Sequence, residues 1–302
     1  MADLQLDPTA RSYRYYRNAV ERHWDPHGID LDDDLAAVAA LDSTAFDAFR
    51  RSVARFGAGE ESVTEDLAPL PVVLDDVDDE LFVTTQLYEE ARHTDFFDRY
   101  WREVVRPAER RRNLAPTAPT DDRWFTEPYD ELFRRNATAM ARLLDDDSPE
   151  NRATAYCHYH LTIEGVLAQT GYYGLTRAYD ADTHPDLPHL PGLVAGLTKV
   201  RGDEGRHVGF GMAKLKELVE SGAVSPAHLH DAVDELLPLV KESIPRRGTD
   251  AGGETTDVRG ETTGPSPDEL VAYAGEKHAQ RMEQITTEDG EIPDVEQLTT
   301  VD

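Results

Sequence analysis

Apolar residues recur at steps of three and four along most of the chain, and stretches in which apolar and polar residues alternate strictly are scarce. The first spacing is typical of amphipathic α-helices and the second of β-strands. Glycine and proline fall mostly between the periodic segments, where they tend to end helices. The pattern therefore predicts an all-α protein. The predicted helices cover residues 9–24, 43–68, 78–106, 126–145, 149–181, 190–221, 226–243 and 267–286.

Capping residues and polar segments define the expected domain organisation. Ser148 and Ser266 each precede a proline, which places a capping hydroxyl before proline at the first helical position. Residues 246–264 are rich in glycine, threonine and charge, which is typical of a linker. We expect one helical domain over residues 1–245, followed over 246–302 by the linker, one short helix and an acidic tail that frays.

Four of the predicted helices carry one glutamate in the middle of an otherwise apolar stripe. Steps of three and four place all members of a stripe on the helix face that points into the protein interior. A buried carboxylate without a counter-charge is strongly destabilising, so four converging glutamates require cations. The four glutamates and their stripe neighbours are Glu60 between Phe56 and Val63, Glu90 between Leu87 and Thr94, Glu164 between Leu161 and Ala168, and Glu204 between Val200 and Val208.

Two histidines follow two of these glutamates at the same spacing. His93 lies three residues after Glu90, and His207 lies three residues after Glu204, so each pair shares a helix face. Two helices that each give one Glu, with two that give Glu-x-x-His, form the ligand set of dinuclear carboxylate sites in four-helix bundles. Carboxylates with imidazoles favour iron or manganese over thiolate-bound zinc. The alternative is a salt-bridged bundle in which each glutamate pairs with an arginine.

The other polar clusters have structural interpretations. Cys157, His158 and His160 are expected to form a buried thiol with hydrogen-bonded imidazoles, and a third metal site is the alternative. The acidic runs 32–34 and 145–147 lack the glycine and the closing glutamate of a calcium loop, so we expect them to be solvated surface. Three acids next to the proposed ligands lie off the stripes and are expected at the surface or beside the ligands: Glu61, Glu89 and Asp203.

The charge balance narrows the function classes. Acidic residues number 60 against 31 basic ones, which gives a formal net charge of -29. This suggests a protein that works in concentrated salt, where repulsion between like charges is screened. It argues against nucleic acid and anionic membranes as partners, because both attract cationic surfaces. The single cysteine excludes an intrachain disulfide, and no long apolar segment or signal-peptide pattern is present, so we expect a cytoplasmic protein.

The motifs around the glutamates resemble the ribonucleotide reductase small-subunit superfamily, and within it most closely the small-subunit-like ligand-binding oxidases. The resemblance spans roughly residues 40–245 and implies a ferritin-like four-helix bundle with additional flanking helices. The segments that carry it are GEESV at 59–63, EEARHTDFF at 89–97, YHLTIEGVLA at 159–168 and DEGRH at 203–207.

The resemblance implies a manganese–iron pair, with iron at both positions as an alternative. Carried over residue by residue, it implies that Glu90 bridges the two metals. The first metal, expected to be manganese, would be held by Glu60, Glu90 and His93, and the second, expected to be iron, by Glu164, Glu204 and His207.

The resemblance also implies features around the metals. Val63 and Tyr159 match a pair that the family joins by an ether cross-link, and Tyr172 matches a tyrosine near the iron side, with ordinary core packing as the alternative. On an ideal α-helix, Tyr159 would turn about 140° away from Glu164, so a π-helical bulge is implied between them. A long-chain fatty acid at the metals, dioxygen as co-substrate and a homodimer are implied as well.

These features predict an oxygen-activating oxidase that oxidises C–H bonds. One alternative is the radical-generating small subunit of ribonucleoside-diphosphate reductase. That role usually requires a tyrosine where this chain has Phe97, and the tail has no aromatic residue after Tyr273. The other alternative is a non-catalytic, fatty-acid-binding metalloprotein. An iron-storage cage is disfavoured because its subunits are far shorter.

Overall fold

A computed structural model describes residues 6–183, 188–243 and 265–300, so the predicted linker over 246–264 lies outside the described residues. The described residues form helices and turns and contain no β-strand, which confirms the all-α prediction. The helices are α1 Arg11–Glu21, α2 Asp32–Ala40, α3 Ser43–Asp66, α4 Leu70–Val73, α5 Val77–Tyr100, α6 Arg106–Arg111, α7 Glu127–Arg142, α8 Pro149–Tyr156, α9 Gln169–Tyr179, α10 Pro191–Glu220, α11 Pro226–Asp234, α12 Leu237–Ser243, α13 Pro267–Thr286 and α14 Val295–Leu298.

Four helical rods form the central bundle, as predicted. Helix α3 packs along α5, and α10 packs against α5, α9 and the segment that joins α8 to α9. Two apolar cores lie at opposite ends of these rods. One core contains Phe46 and Phe49 from the N-terminal half of α3, and the other contains Val63 and Leu67 from its C-terminal end. The glutamate of each rod falls between the two cores, so a buried polar layer crosses the middle of the bundle.

Two segments have π-helical geometry. Trp101–Val105 joins α5 to α6, and Cys157–Ala168 joins α8 to α9. Pro107 explains the first, because proline has no N–H to donate to the preceding turn and a widened turn accommodates its ring. The second contains both Tyr159 and Glu164, so the implied π-helical bulge is confirmed.

Helix α2 was not predicted, and it corrects part of the interpretation of the acidic run 32–34: Asp32 and Asp33 are exposed as expected, whereas Asp34 is buried. These aspartates form the first turn of α2, where negative charge stabilises the helix dipole. Asp34 is fully buried and accepts hydrogen bonds from the backbone N–H of Gly192 and Leu193 at the start of α10, and from the Tyr100 hydroxyl. The other run, 145–147, is exposed as expected.

The capping predictions have mixed outcomes. Ser266 caps α13 in a complete capping box with Glu269. Ser148 occupies the N-cap position of α8 and is followed by Pro149, but its side chain makes no capping hydrogen bond. The helix predicted over 226–243 is interrupted between α11 and α12.

The acidic tail does not fray along the residues that the structure describes, so that expectation was wrong. Ile292 and Val295 are buried, and α14 packs against α1 and α10. The close approach requires glycine at Gly205, where a Cβ atom would come within 1.9 Å of the Leu298 carbonyl oxygen. The C-terminal residues therefore cover α10 directly beside Glu204.

Candidate metal centre

All six residues predicted as metal ligands lie together in the polar layer. Their carboxylate and imidazole atoms form two overlapping groups, and within each group the nearest atoms lie within 4.8 Å of one another. Each of the six is at most 3% exposed. The first group contains Glu60, Glu90, His93 and Glu204, and the second contains Glu90, Glu164, Glu204 and His207.

The two imidazoles face the carboxylates through the same ring nitrogen. His93 Nδ1 lies 3.3 Å from Glu60, 3.4 Å from Glu90 and 3.6 Å from Glu204. His207 Nδ1 lies 3.0 Å from Glu90 and 3.6 Å from Glu204. Glu90 is therefore shared by the two groups, as expected. Glu204 was assigned to the second metal alone, and the structure shows that it reaches both imidazoles.

The other nitrogen of each imidazole faces an outer carboxylate. Asp203 Oδ2 lies 3.0 Å from His93 Nε2, and Glu89 Oε2 lies 2.9 Å from His207 Nε2. Each contact crosses between two helices. Asp203 of α10 contacts His93 of α5, and Glu89 of α5 contacts His207 of α10. Such contacts fix the tautomer of a ligating histidine and raise its basicity. Both acids thus lie beside the predicted ligands, while Glu61 is exposed.

Two buried arginines neutralise the outer carboxylates. Arg206 Nη2 lies 2.5 Å from both Glu89 and Asp203, and Arg92 Nη2 lies 2.7 Å from Asp203. The Trp24 indole N–H also donates to Asp203, at 2.8 Å. Among the described residues, the four inner glutamates form ion pairs with His93 and His207 and none with an arginine, so the salt-bridged alternative is wrong.

Burial and mutual repulsion oppose ionisation of three of the four inner carboxylates, whereas the two histidines hold the pKa of Glu90 well below its usual value although burial opposes this. Burial raises the pKa of Glu60 to about 8, and burial with neighbouring carboxylates raises the pKa of Glu164 and Glu204. The carboxylates raise the pKa of His93 and His207 well above the usual value, although burial opposes this effect. Without metal, protons therefore supply part of the counter-charge that four converging carboxylates need.

The donor set fits a pair of divalent metal ions. Both oxygens of Glu90, Oε2 of Glu164, Oε2 of Glu204 and Nδ1 of His207 have no hydrogen-bond partner among the described residues. Buried polar atoms without partners are rare in folded proteins and here point towards one another. Two divalent cations would balance four carboxylates while the imidazoles stay neutral. Carboxylates with imidazoles suit iron and manganese.

Two tyrosines contact the cluster or its neighbours. The Tyr159 hydroxyl is buried and donates to the Val63 backbone carbonyl at 3.0 Å, so the residues of the predicted cross-link are adjacent. The Tyr172 hydroxyl donates to Glu60, and its ring stacks on Phe56 with ring centres 4.5 Å apart. Tyr172 therefore contacts a ligand of the first group, whereas the resemblance implied a position near the iron side.

An apolar cavity of about 360 Å³ reaches the cluster from one side. Glu60, Glu164 and Glu204 form its polar end. Most of the remaining wall is apolar and includes Phe49, Phe56, Phe133, Leu167 and Leu175. An elongated apolar molecule with one polar end would match this distribution.

The side chains of Cys157 and His160, which were predicted to form one cluster, have different contacts. Cys157 is buried, and its sulfur lies 3.9 Å from the Leu229 carbonyl oxygen. His160 faces the metal layer through Gln86, which in turn donates to Glu164. Gln86 was not identified from the sequence, although its position four residues before Glu90 places it on the same face of α5.

Comparisons with known proteins agree with this geometry. No family model matches the sequence. An R2-like ligand-binding oxidase variant with an aerobically reconstituted Fe/Fe cofactor superposes with a TM-score of 0.79 at 28% sequence identity, over 93% of this chain and 95% of that chain. An R2-like ligand-binding oxidase with an aerobically reconstituted Mn/Fe cofactor gives a TM-score of 0.77 at 28% identity, over 93% and 94% of the two chains.

The chain is similar to the R2-like ligand-binding oxidases in fold and in sequence. This confirms both the resemblance drawn from the motifs and the ferritin-like bundle with flanking helices. The solved R2-like ligand-binding oxidases carry Mn/Fe or Fe/Fe cofactors, and this chain presents a buried carboxylate and histidine cluster suited to two metals. No helix among the described residues is both long and apolar enough to cross a membrane.

Proposed function

We propose that the chain is a dioxygen-dependent oxidase with a manganese–iron carboxylate site and a bound long-chain fatty acid. The observation that carries the proposal is the pair of overlapping ligand groups, which share two carboxylates and open onto an apolar cavity. The likeness to R2-like ligand-binding oxidases supports manganese with iron as the natural pair, with two irons as the alternative.

Each metal would be held by residues from several helices, and Glu90 would bridge the pair. Manganese is assigned to the first position, and iron is assigned to the second. Glu204 would be able to move between the two positions, because it reaches both imidazoles. The proposed ligands are Glu60, Glu90 and His93 for the first metal, and Glu164, Glu204 and His207 for the second.

When bound in the reduced state, the metals would supply electrons to dioxygen and the oxidising power needed to attack an unactivated C–H bond. The protein contributes orientation and exclusion of water. Asp203 and Glu89 hold the imidazoles with Nδ1 towards the metals. The apolar wall keeps water away from the reacting C–H bond.

Val63 and Tyr159 are proposed to form an ether cross-link. Tyr159 would lose its hydroxyl hydrogen, and a side-chain carbon of Val63 would lose one hydrogen. The new bond would join the phenol oxygen to that carbon. This is a two-electron oxidation. Together with two electrons from the reduced metals, it would reduce one dioxygen to two waters, which take up the two lost hydrogens as protons and two further protons from solution. The hydrogen bond from the Tyr159 hydroxyl to the Val63 backbone supports the assignment, because it holds the phenol against the correct residue.

The fatty acid is proposed to place its carboxylate at the metals and its chain in the cavity. A carboxylate suits iron and manganese as a ligand, and the wall of the cavity suits an alkyl chain. We further propose a homodimer in solution.

Metal analysis tests the proposed function most directly. Protein purified without added metal is expected to contain two metals per chain, and metal-free protein reloaded with Mn(II) and Fe(II) without air is expected to consume dioxygen when air is admitted. Glu204→Ala is expected to lose metal at the second position and to stop consuming dioxygen. Two tightly bound metals without dioxygen consumption in the wild type would instead favour a non-catalytic binding protein.

A further inference from the structure

A buried glutamine contacts one predicted metal ligand directly. Gln86 on α5 is fully buried, and its amide Nε2 donates to Glu164 Oε1 at 2.8 Å. Its amide oxygen faces His160, whose Nε2 lies 3.4 Å away. The three side chains form a chain of contacts that begins outside the ligand cluster and ends on a carboxylate of the second group.

The chemistry of the three groups fixes the direction of each hydrogen bond. An ionised carboxylate only accepts hydrogen bonds, so the amide NH2 of Gln86 must face Glu164. The amide oxygen then faces His160, so His160 must carry a proton on Nε2 in order to donate. His160 is itself fully buried, and burial lowers its pKa to about 3, so the ring is neutral and holds one proton.

Packing keeps His160 in position to orient Gln86. The backbone of α10 approaches the ring closely at Gly211, where a Cβ atom would lie 2.3 Å from the His160 Cβ. The ring also packs against the rings of Tyr156 and Tyr159, with centroid distances of 5.5 and 4.9 Å. The imidazole therefore has little freedom to rotate away from the amide.

This arrangement leaves the two oxygens of Glu164 unequal. Oε1 accepts the hydrogen bond from Gln86 and lies 3.4 Å from His207 Nδ1, whereas Oε2 has no hydrogen-bond partner among the described residues. We propose that Gln86, oriented by His160, is a positioning residue that limits Glu164 to binding its metal through a single oxygen. The proposal rests on the proposed function, because it requires a metal at that position.

The consequence is an open coordination position. A carboxylate that chelates through two oxygens occupies two positions on a metal, whereas one-oxygen binding leaves a position for dioxygen or the fatty acid. Reactive metal sites keep such positions open. Gln86 would thus control access to the second metal without touching the metal itself.

Gln86→Leu tests the proposal by removing the donor at similar volume. Crystals of wild-type protein and of the variant, both loaded with Mn(II) without air, would be compared. Glu164 is expected to bind through one oxygen in the wild type and through both oxygens in Gln86→Leu. Nitric oxide, which binds Fe(II) at an open position, is expected to bind Fe(II)-loaded Gln86→Leu roughly 10-fold more weakly than wild type.

Two further variants complete the experiment. Gln169→Leu removes another buried glutamine, whose amide donates to the Arg201 backbone oxygen at 3.3 Å, and it should leave Glu164 unchanged. His160→Phe keeps Gln86 but frees its amide to rotate, so it should change Glu164 in the same direction, and it carries the test if Gln86→Leu does not fold.

The possible failures are distinguishable. Wild-type protein that binds fewer than two metals would overturn the proposed function and the role of Gln86 together. Wild-type protein that binds two metals, with Glu164 using the same oxygens as in Gln86→Leu and His160→Phe, would overturn only the role of Gln86.

Discussion

His93 Nε2 lies 3.0 Å from Asp203 Oδ2, on the side of the ring that faces away from the inner carboxylates. Glu89 makes the equivalent contact with His207. Since the two contacts act on different histidines, the two halves of the centre can be disturbed separately. Outer partners of this kind typically change metal affinity 10–100-fold when they are mutated.

Asp203→Asn is therefore expected to weaken metal binding at the first position by about 10-fold or more, and Glu89→Gln is expected to do the same at the second position. The affinities would be measured by competition with a chelator, without air. Thermal unfolding would be recorded in parallel, because each change leaves a buried arginine with one fewer charged partner. Loss of the same metal in both variants would contradict the assignment of partners.

Glu60 and Glu61 form a matched pair of neighbours with opposite surroundings. Glu60 is 3% exposed and faces His93, whereas Glu61 is exposed. Glu60→Ala is expected to reduce the metal content to about one per chain, and Glu61→Ala is expected to leave it unchanged. Elemental analysis of the two purified variants checks this. The reverse result would show that Glu61, and not Glu60, is the metal ligand.

The metal-free protein is expected to become less stable as the pH rises from about 5 to about 8. The raised pKa of Glu60, about 8, means that the folded protein keeps a proton that the unfolded chain releases above about 4.5. His93 and His207, whose pKa is raised, also keep protons that the unfolded chain loses above about 6.5. The unfolded state binds fewer protons across this range, so the free energy of unfolding falls.

Calorimetric melting of metal-free protein across this pH range measures the effect. Glu60→Gln should flatten the pH dependence, because it removes one of the titrating groups. Metal loading near neutral pH should release protons into a weakly buffered solution, since metals displace protons from their ligands. A melting temperature that climbs with pH in the metal-free protein would contradict the prediction.

Protein reconstituted with manganese and iron in air is expected to yield a digest fragment that joins the segments around Val63 and Tyr159. Its mass should be lower than the sum of the two peptides by two hydrogens, because the ether forms with loss of one hydrogen from each residue. Metal-free protein, protein kept without dioxygen, and Tyr159→Phe should all give separate peptides. Separate peptides from fully loaded, air-exposed wild type would contradict the proposed cross-link but would not contradict the proposed metal centre.

The sequence by itself determined the helical fold and the membership of the inner cluster. Steps of three and four placed Glu60, Glu90, Glu164 and Glu204 on inward faces, and burial of a carboxylate is costly enough to demand an explanation. These are local properties of single helices, so they can be derived without knowing how the helices pack. The C-terminal helix over Pro267–Thr286 was predictable for the same reason, from its capping residues and periodicity.

Only the tertiary structure decided which polar residues surround that cluster. Glu89 and Asp203 are off the stripes, yet both are buried, because α5 and α10 are enclosed on several sides and a single amphipathic face no longer describes them. Their contacts join residues more than 100 positions apart. Two further contacts also join distant parts of the chain: Asp34 of α2 contacts the start of α10, 158 positions away, and Gln86 contacts Glu164, 78 positions away. Helical periodicity reports how far a residue turns towards the interior, whereas partners across helices depend on rotation and register between helices.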